Sequence, residues 1–249
     1  MTEYPVRATG TSARVVRALL DLDGAGVTEL ARHLDLSKSA VHNHLVTLER
    51  LEVVVKEDGT YRLGLRFLDL GVRVRDRLPL VVAARATVRD LAADTGVVAS
   101  AVVPEHGRAV YAYAVGSTDP EIPVRDGLRA PLHACAPGKA MLAFRPDEAV
   151  GRYVEERGLP RRTPDTVTDE ATLRRQLGTV RDQGLAFDRG ELSRGMRAVA
   201  APVTDDAGRA VGAISVAGPA ERMVGKRLEE DYAGLVLSGA NAVALDLAR

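Results

Sequence analysis

The chain has 249 residues, enough for one large domain or two smaller ones, and its 46% hydrophobic content is enough for a substantial core. A single Cys excludes an intrachain disulfide framework and paired-cysteine zinc sites, 4% aromatics with no Trp supply no base-stacking platform, and no apolar run approaches the ~18 residues of a membrane span. Formal net charge is zero, and residues 1–78 hold 12 Lys and Arg against 11 Asp and Glu, so nucleic-acid contact must rest on local placement of charge, not on a basic domain.

The N-terminus lacks a signal-peptide apolar region, so the expectation is a soluble, cytoplasmic protein. "TSARVVRALLDL" (11–22) places Val15, Val16, Leu19 and Leu20 at helical spacing and ends at "DGAG". "VTELARHLDL" (27–36) is a short second helix with Leu30, Ala31 and Leu34 inward. "LSKSAVHNHLVTLERL" follows almost at once. Ser37 is its N-cap, Val41, Leu45 and Leu48 form one buried stripe, and Lys38, Ser39, His42 and Asn43 crowd the other side of the first turns. An ordinary solvated face usually carries Glu and Lys pairs. This one has short polar donors, one cation and no acid before Glu49, which suits phosphate and base-edge contact. Two short helices so closely joined make a helix-turn-helix.

Next, "EVVVKEDGTYRLG" (52–64) holds two β-rich runs around Asp-Gly, a hairpin signal. Three helices and a hairpin make a winged helix-turn-helix, whose second motif helix enters the major groove. "LRFLDLGVRVRDRL" (65–78) reads as a linking helix that could pair with its copy in another subunit, or as a core helix of the following domain.

From Pro79 helices and antiparallel hairpins alternate without repeats, an α+β sensor-like plan. A helix ends at Gly96. Two strands flank "EHG". A short helix starts at Pro137 and Gly138, another stops at Gly158, and a third follows Thr168 and stops at Gly184. Strands around "DDAG" lead to a final helix.

"HACAPGKAMLAF" (133–144) is not a P-loop, because His133 and Ala140 stand where Gly and Ser or Thr are required. It can still hold an anion, since free amides in a helix's first turn attract a carboxylate or phosphate. Gly138 could equally serve close packing alone. Cys135 lies two residues from His133, but a nucleophile needs a base within reach and an orienting group, and a buried thiol is the plainer reading. No catalytic or zinc signature appears, so no catalytic residue, metal or cofactor is expected. Asp188, Arg189 and Glu191 are either turn residues or the rim of a pocket. In "GAISVAGP", Ala213, Ser215 and Ala217 share one face and Ile214 and Val216 the other. The small face leaves room for a ligand or for a tightly packed helix.

Three stretches, "LSKSAVHNHLVTLE", "LHACAPGKAMLAF" and "GLAFDRGELSRGMRAVAAPVTDDAGRAVGAISVAGP", occur in an order and spacing that resemble the IclR family of bacterial and archaeal transcriptional regulators over nearly the whole chain. The resemblance implies a winged helix-turn-helix over 1–64, a linker helix over 65–79, and a GAF-like α/β effector-binding and oligomerisation domain over 80–249. It also implies a homodimer or homotetramer on pseudo-palindromic double-stranded DNA, responsive to a small organic effector and without a membrane partner. On this reading Arg14, Thr28, Ser37, Lys38, Ser39, His42, Asn43, Lys56 and Arg62 face DNA. Ala136, Pro137, Gly138, Asp188, Ala198, Ser215 and Ala217 line the effector site. Pro137 has no amide to donate, so donors there would come from Gly138 or Lys139. Ala198 and Ala217 stand where relatives often have Cys and Ser, which implies a less polar or differently bonded effector. Asn43 stands where Arg is frequent; Asn reads adenine bidentately and Arg guanine. The rival readings are an enzyme using Cys135 or Asp188, and a pure protein-interaction module.

Overall fold

The computed structural model describes residues 4–116, 119 and 122–248. They pack into two compact units, Met1–Val74 and Arg75–Arg249.

In the first unit, α1 (Arg7–Asp21), α2 (Val27–Leu34) and α3 (Lys38–Arg50) bury Val15, Ala18 and Leu19, then Leu30, Ala31 and Leu34, then Val41, Leu45 and Leu48 in one core. These are the three-and-four-residue spacings of one helical face. Asp35 ends α2 in the left-handed region (φ 53°), and the Leu36 amide reaches back to the Ala31 carbonyl at 2.9 Å. Ser37 then caps α3, accepting from the Ala40 amide at 3.1 Å. The wing is β1 (Val54–Glu57) paired antiparallel with β2 (Thr60–Leu63). Asp58 (φ 48°) and Gly59 (φ 81°) form the two-residue turn, whose positive φ values match the twist of the flanking strands. Ala25 and Tyr61 exchange both backbone hydrogen bonds at 3.0 Å, which fastens the α1–α2 turn to the wing. α4 (Arg66–Arg75) follows and buries none of its residues; Leu65, Phe67, Leu68, Leu70 and Val74 are exposed.

The second unit opens with α5 (Pro79–Thr95), capped by Gly96 at φ 65°. Its described residues form one antiparallel six-stranded sheet in the order β5-β4-β3-β8-β7-β6. The strands are β3 (Val98–Glu105), β4 (Arg108–Val115), β5 (Arg129–Pro131), β6 (Ala186–Asp188), β7 (Met196–Thr204) and β8 (Ala210–Pro219). One face carries Ala99, Ala101, Val199, Ala201, Ile214 and Val216, covered by α5 and by α9 (Ala233–Leu247). The opposite face carries Ala198, Ala200, Ala213 and Ala217, and α6 (Ala136–Ala143) lies against it, backed by α8 (Glu170–Gln183). Small side chains on these strands let a helix approach closely, which is the packing reading of the Ala-Ser-Ala face. α7 (Asp147–Arg157) lies between α6 and α8 in the chain.

Three details differ from the sequence reading. The helix expected directly after Thr168 starts at Glu170, with Asp169 as its cap, accepting from the Thr172 amide at 2.8 Å. The last helix begins with a wider turn at Arg227–Tyr232, which periodicity does not reveal. The short edge strand β5 carries no alternation long enough to read.

Candidate DNA interface and effector site

α3 turns Lys38, Ser39, His42 and Asn43 to solvent while Val41 and Leu45 on its opposite side are fully buried. Its orientation is set by contacts made elsewhere. His44 is half-buried, and its Nδ1 pairs with the Ser12 hydroxyl of α1 at 2.9 Å. Thr28 is exposed in the first turn of α2, and Lys56 is exposed on the wing with its ammonium 5.4 Å from the Tyr61 ring centre. Two of the expected DNA-facing arginines are engaged within the fold. Arg14 donates to the Leu34 carbonyl at 2.6 Å, satisfying a C-terminal carbonyl of α2, and Arg62 pairs with Glu57 at 3.6 Å. Ser37 likewise spends an oxygen lone pair on its cap.

In the second unit, strand register assembles the other set. Asp188 pairs with Ala198 and Ala198 with Ala217, so the three lie in one row across β6, β7 and β8. Ser215 lies in the neighbouring row opposite Ala200, on the same face. All are buried, as are Ala136, Pro137 and Gly138 at the start of α6. A Cβ at Gly138 would sit 2.2 Å from the Leu132 carbonyl oxygen, so glycine there lets α6 begin against the preceding turn. The Lys139 amide is committed to the Cys135 carbonyl at 3.0 Å, which removes it from the donors expected for a ligand.

Asp188 uses one oxygen, Oδ1, to accept from the amides of Gly190 (3.0 Å) and Glu191 (2.6 Å). Oδ2 has no partner among the described residues, nor do Ser215 Oγ and Glu191 Oε2. Burial, and then the neighbouring Glu191 charge, push the Asp188 carboxyl up to about 7. The Glu191 loop is fastened from its far side by the Thr163 and Thr166 hydroxyls, which donate to the Gly190 and Glu191 carbonyls. Sequence reading missed the ion pair beside it: Lys139 and Glu191, both buried, are bonded to each other, and Lys139 Nζ also donates to Gln176 Oε1 at 3.1 Å. Its partners are 52 and 37 residues away, so no local pattern could have exposed it.

The thiol reading fails on geometry. Cys135 is buried and donates to the Pro131 carbonyl at 3.4 Å, and burial pushes the thiol up to about 12. His133 does not face it. The Pro160 carbonyl, which can only accept, lies 3.2 Å from Nε2, which assigns the proton there and leaves Nδ1 to accept from the Tyr153 hydroxyl at 2.8 Å. Burial lowers the His133 pKa, favouring the neutral ring. No group of three or more His, Cys, Asp or Glu among the described residues is placed to hold a metal.

Residues 12–58 match the family model of the IclR helix-turn-helix domain, and residues 72–245 match that of the bacterial transcriptional regulator IclR C-terminal domain. The chain belongs to the IclR family. Among curated relatives, the HTH-type transcriptional regulator BhcR of Paracoccus denitrificans is 35% identical over 90% of this chain and 81% of its own. The probable HTH-type transcriptional regulator ArcR of Halobacterium salinarum is 29% identical over 95% and 92%. Among solved structures, the Thermotoga maritima IclR superposes with a TM-score of 0.81 at 26% identity, covering 98% of this chain and 99% of that one. An IclR homologue from Microbacterium hydrocarbonoxydans, crystallised with 4-hydroxybenzoate, shares the fold with a TM-score of 0.78 at 23% identity over 95% and 98%. This IclR-family chain is therefore a DNA-binding transcriptional regulator, built from the family's helix-turn-helix and C-terminal domains, and its relatives are regulators, not enzymes. No helix among the described residues is long and apolar enough to cross a membrane.

Proposed function

We propose that residues 1–64 form the reading head, residues 65–79 connect it, and residues 80–249 bind the effector and oligomerise. The observation that carries the DNA reading is the exposure of Lys38, Ser39, His42 and Asn43 over a helix whose other side is core. Asn43 and His42 read base edges, Lys38, Ser39, Thr28 and Lys56 hold phosphates, and Ser37 orients the helix. Arg14 and Arg62 act mainly through the fold. The apolar residues along α4 support pairing with a second copy. A dimer would present two heads to half-sites ~34 Å apart on a pseudo-palindromic operator. An effector with unequal affinity for two head spacings then changes operator affinity.

The effector reading rests on Asp188 Oδ2 and Ser215 Oγ, buried, unpartnered and on one sheet face beneath the start of α6. These groups suit a ligand hydroxyl, and the remaining first-turn amides of α6, on Ala136 and Gly138, suit a carboxylate, so the proposed effector is a small hydroxylated organic acid. Ala198 and Ala217 leave that wall apolar. The test is a gel-shift series on DNA from upstream of its own gene, with 4-hydroxybenzoate and other hydroxy acids. Asn43→Ala is expected to relax sequence choice. Lys56→Ala is expected to weaken all sequences alike and flatten the salt slope by about 0.9. Ser215→Ala is expected to raise the effector concentration needed. Unaltered sequence choice and salt slope would overturn the interface; an unaltered effector response would overturn the pocket.

A further inference from the structure

At the far end of α6 from its ligand-facing start lies a cavity of about 330 Å³. It is bounded by the β3–β4 turn, the last turn of α6 and one side of α7. Its apolar floor is Leu132, Met141 and Leu142, with Tyr153 as one wall. Three arginines, Arg145, Arg152 and Arg157, converge on its rim.

Their charges are not spent within the fold. None of the three guanidinium groups has an ion pair or side-chain hydrogen bond among the described residues, whereas Arg129, Arg174 and Arg209 each hold a carboxylate. Of the two carboxylates in the lining, Glu105 is held by Arg129 at 2.6 Å, which leaves Glu156 against three arginines. Arg157 lies close against the β3–β4 turn. A Cβ at Gly107 would be 2.8 Å from its Nε, and Gly107 takes φ 68°. A guanidinium presents a planar fork of donors that matches carboxylate, sulfonate or phosphate oxygens. A volume near 300 Å³ is the lower end of ordinary small-molecule sites and fits about two fused rings.

We infer that this cavity is a second ligand site, for a small organic anion with a flat apolar body. The anionic group lies among Arg145, Arg152 and Arg157, and the body lies over Met141, Leu142 and the Tyr153 ring. It shares no residue with the Asp188 cluster, so it stands whether or not that cluster binds the effector. Its wall is nevertheless joined to the turn before α6, because the Tyr153 hydroxyl accepts from the His133 amide at 3.3 Å and bonds its ring.

The probe is 1-anilinonaphthalene-8-sulfonate, titrated into the full-length protein and followed by its emission, which no Trp in the chain overlaps. Saturable binding is expected. The Arg145→Gln/Arg152→Gln protein should bind it at least tenfold more weakly, and so should Ala149→Phe, which narrows the cavity without touching its charge. The neutral N-phenyl-1-naphthylamine should bind the unaltered protein at least tenfold more weakly than the sulfonate. Asp188→Asn should leave the sulfonate affinity within twofold. The inference is overturned if the sulfonate does not saturate, if the double arginine variant binds within twofold of the unaltered protein, if the neutral probe binds as tightly, or if Asp188→Asn weakens binding as much as the arginine changes do.

Discussion

Replacing Lys139 with Met tests whether the buried polar cluster under α6 is held by charge. Met keeps the length of the stem and removes the ammonium that meets Glu191 and Gln176. Both ends of the pair are nearly inaccessible, at 3% for Lys139 and 5% for Glu191, so solvent does little to screen them. Removing one partner of such a pair leaves an uncompensated buried charge and typically costs about 3–5 kcal/mol. Asp188 is close by, so the orphaned Glu191 carboxylate would also face a second acid. With a urea dependence of roughly 2–3 kcal/mol per molar, the midpoint should fall by about 1–2 M. Cys135 supplies the assay. It is the sole thiol and is fully buried in the second unit, so pulsed thiol labelling across a urea series reports the opening of that unit alone. Adding Glu191→Leu should recover most of the loss, because two apolar groups can replace a buried pair at little cost. A shift of less than about 0.3 M in Lys139→Met, or no recovery in the double variant, would refute the reasoning.

Asp188→Asn should change the pH dependence of that same opening. The carboxyl titrates near 7 in the folded chain against 3.8 as its ordinary value. Between those limits the folded form keeps a proton that the unfolded chain has released, so stability falls as pH rises through the window and levels off above it. Asn is neutral throughout and still accepts the Gly190 and Glu191 amides. The variant should therefore gain on the unaltered protein by up to about 4 kcal/mol between pH 4 and pH 7; a difference flat in pH would contradict this. Gly138→Ala should destabilise the second unit by about 1–3 kcal/mol, read by the same labelling, because its methyl would drive into the Leu132 backbone. Ser37→Ala should cost the first unit about 1 kcal/mol and increase hydrogen exchange at the Ala40 amide.

The fold of the first unit was almost wholly legible in the sequence because its signals are local. Ser37 stands one residue before the helix it caps, the Asp58-Gly59 pair determines its own turn, and the buried stripes recur within single helices. The same holds for the alternation in β8, where Ser215 and Ala217 fall on one face and Ile214 and Val216 on the other. What stayed hidden depends on separation along the chain. Arg14 meets a carbonyl 20 residues away, and its charge alone gave no sign that the fold would use it. The partners of Lys139 lie on α8 and in the loop after β6. The Tyr153 hydroxyl meets His133 across 20 residues, and the arginine-rimmed cavity is built from a hairpin turn and two helices. No periodicity encodes such meetings; only packing brings them about.

α6 is eight residues long, about 12 Å from end to end, and every one of them is buried. Gly138, near its beginning, rests on Leu132, and Leu132 also floors the cavity at its other end. A rod enclosed on all sides cannot yield at one end and stay put at the other. Two occupants placed at its ends would therefore influence each other reciprocally, each changing the other's affinity by the same factor, with the direction set by whether they favour one seating of the rod or two.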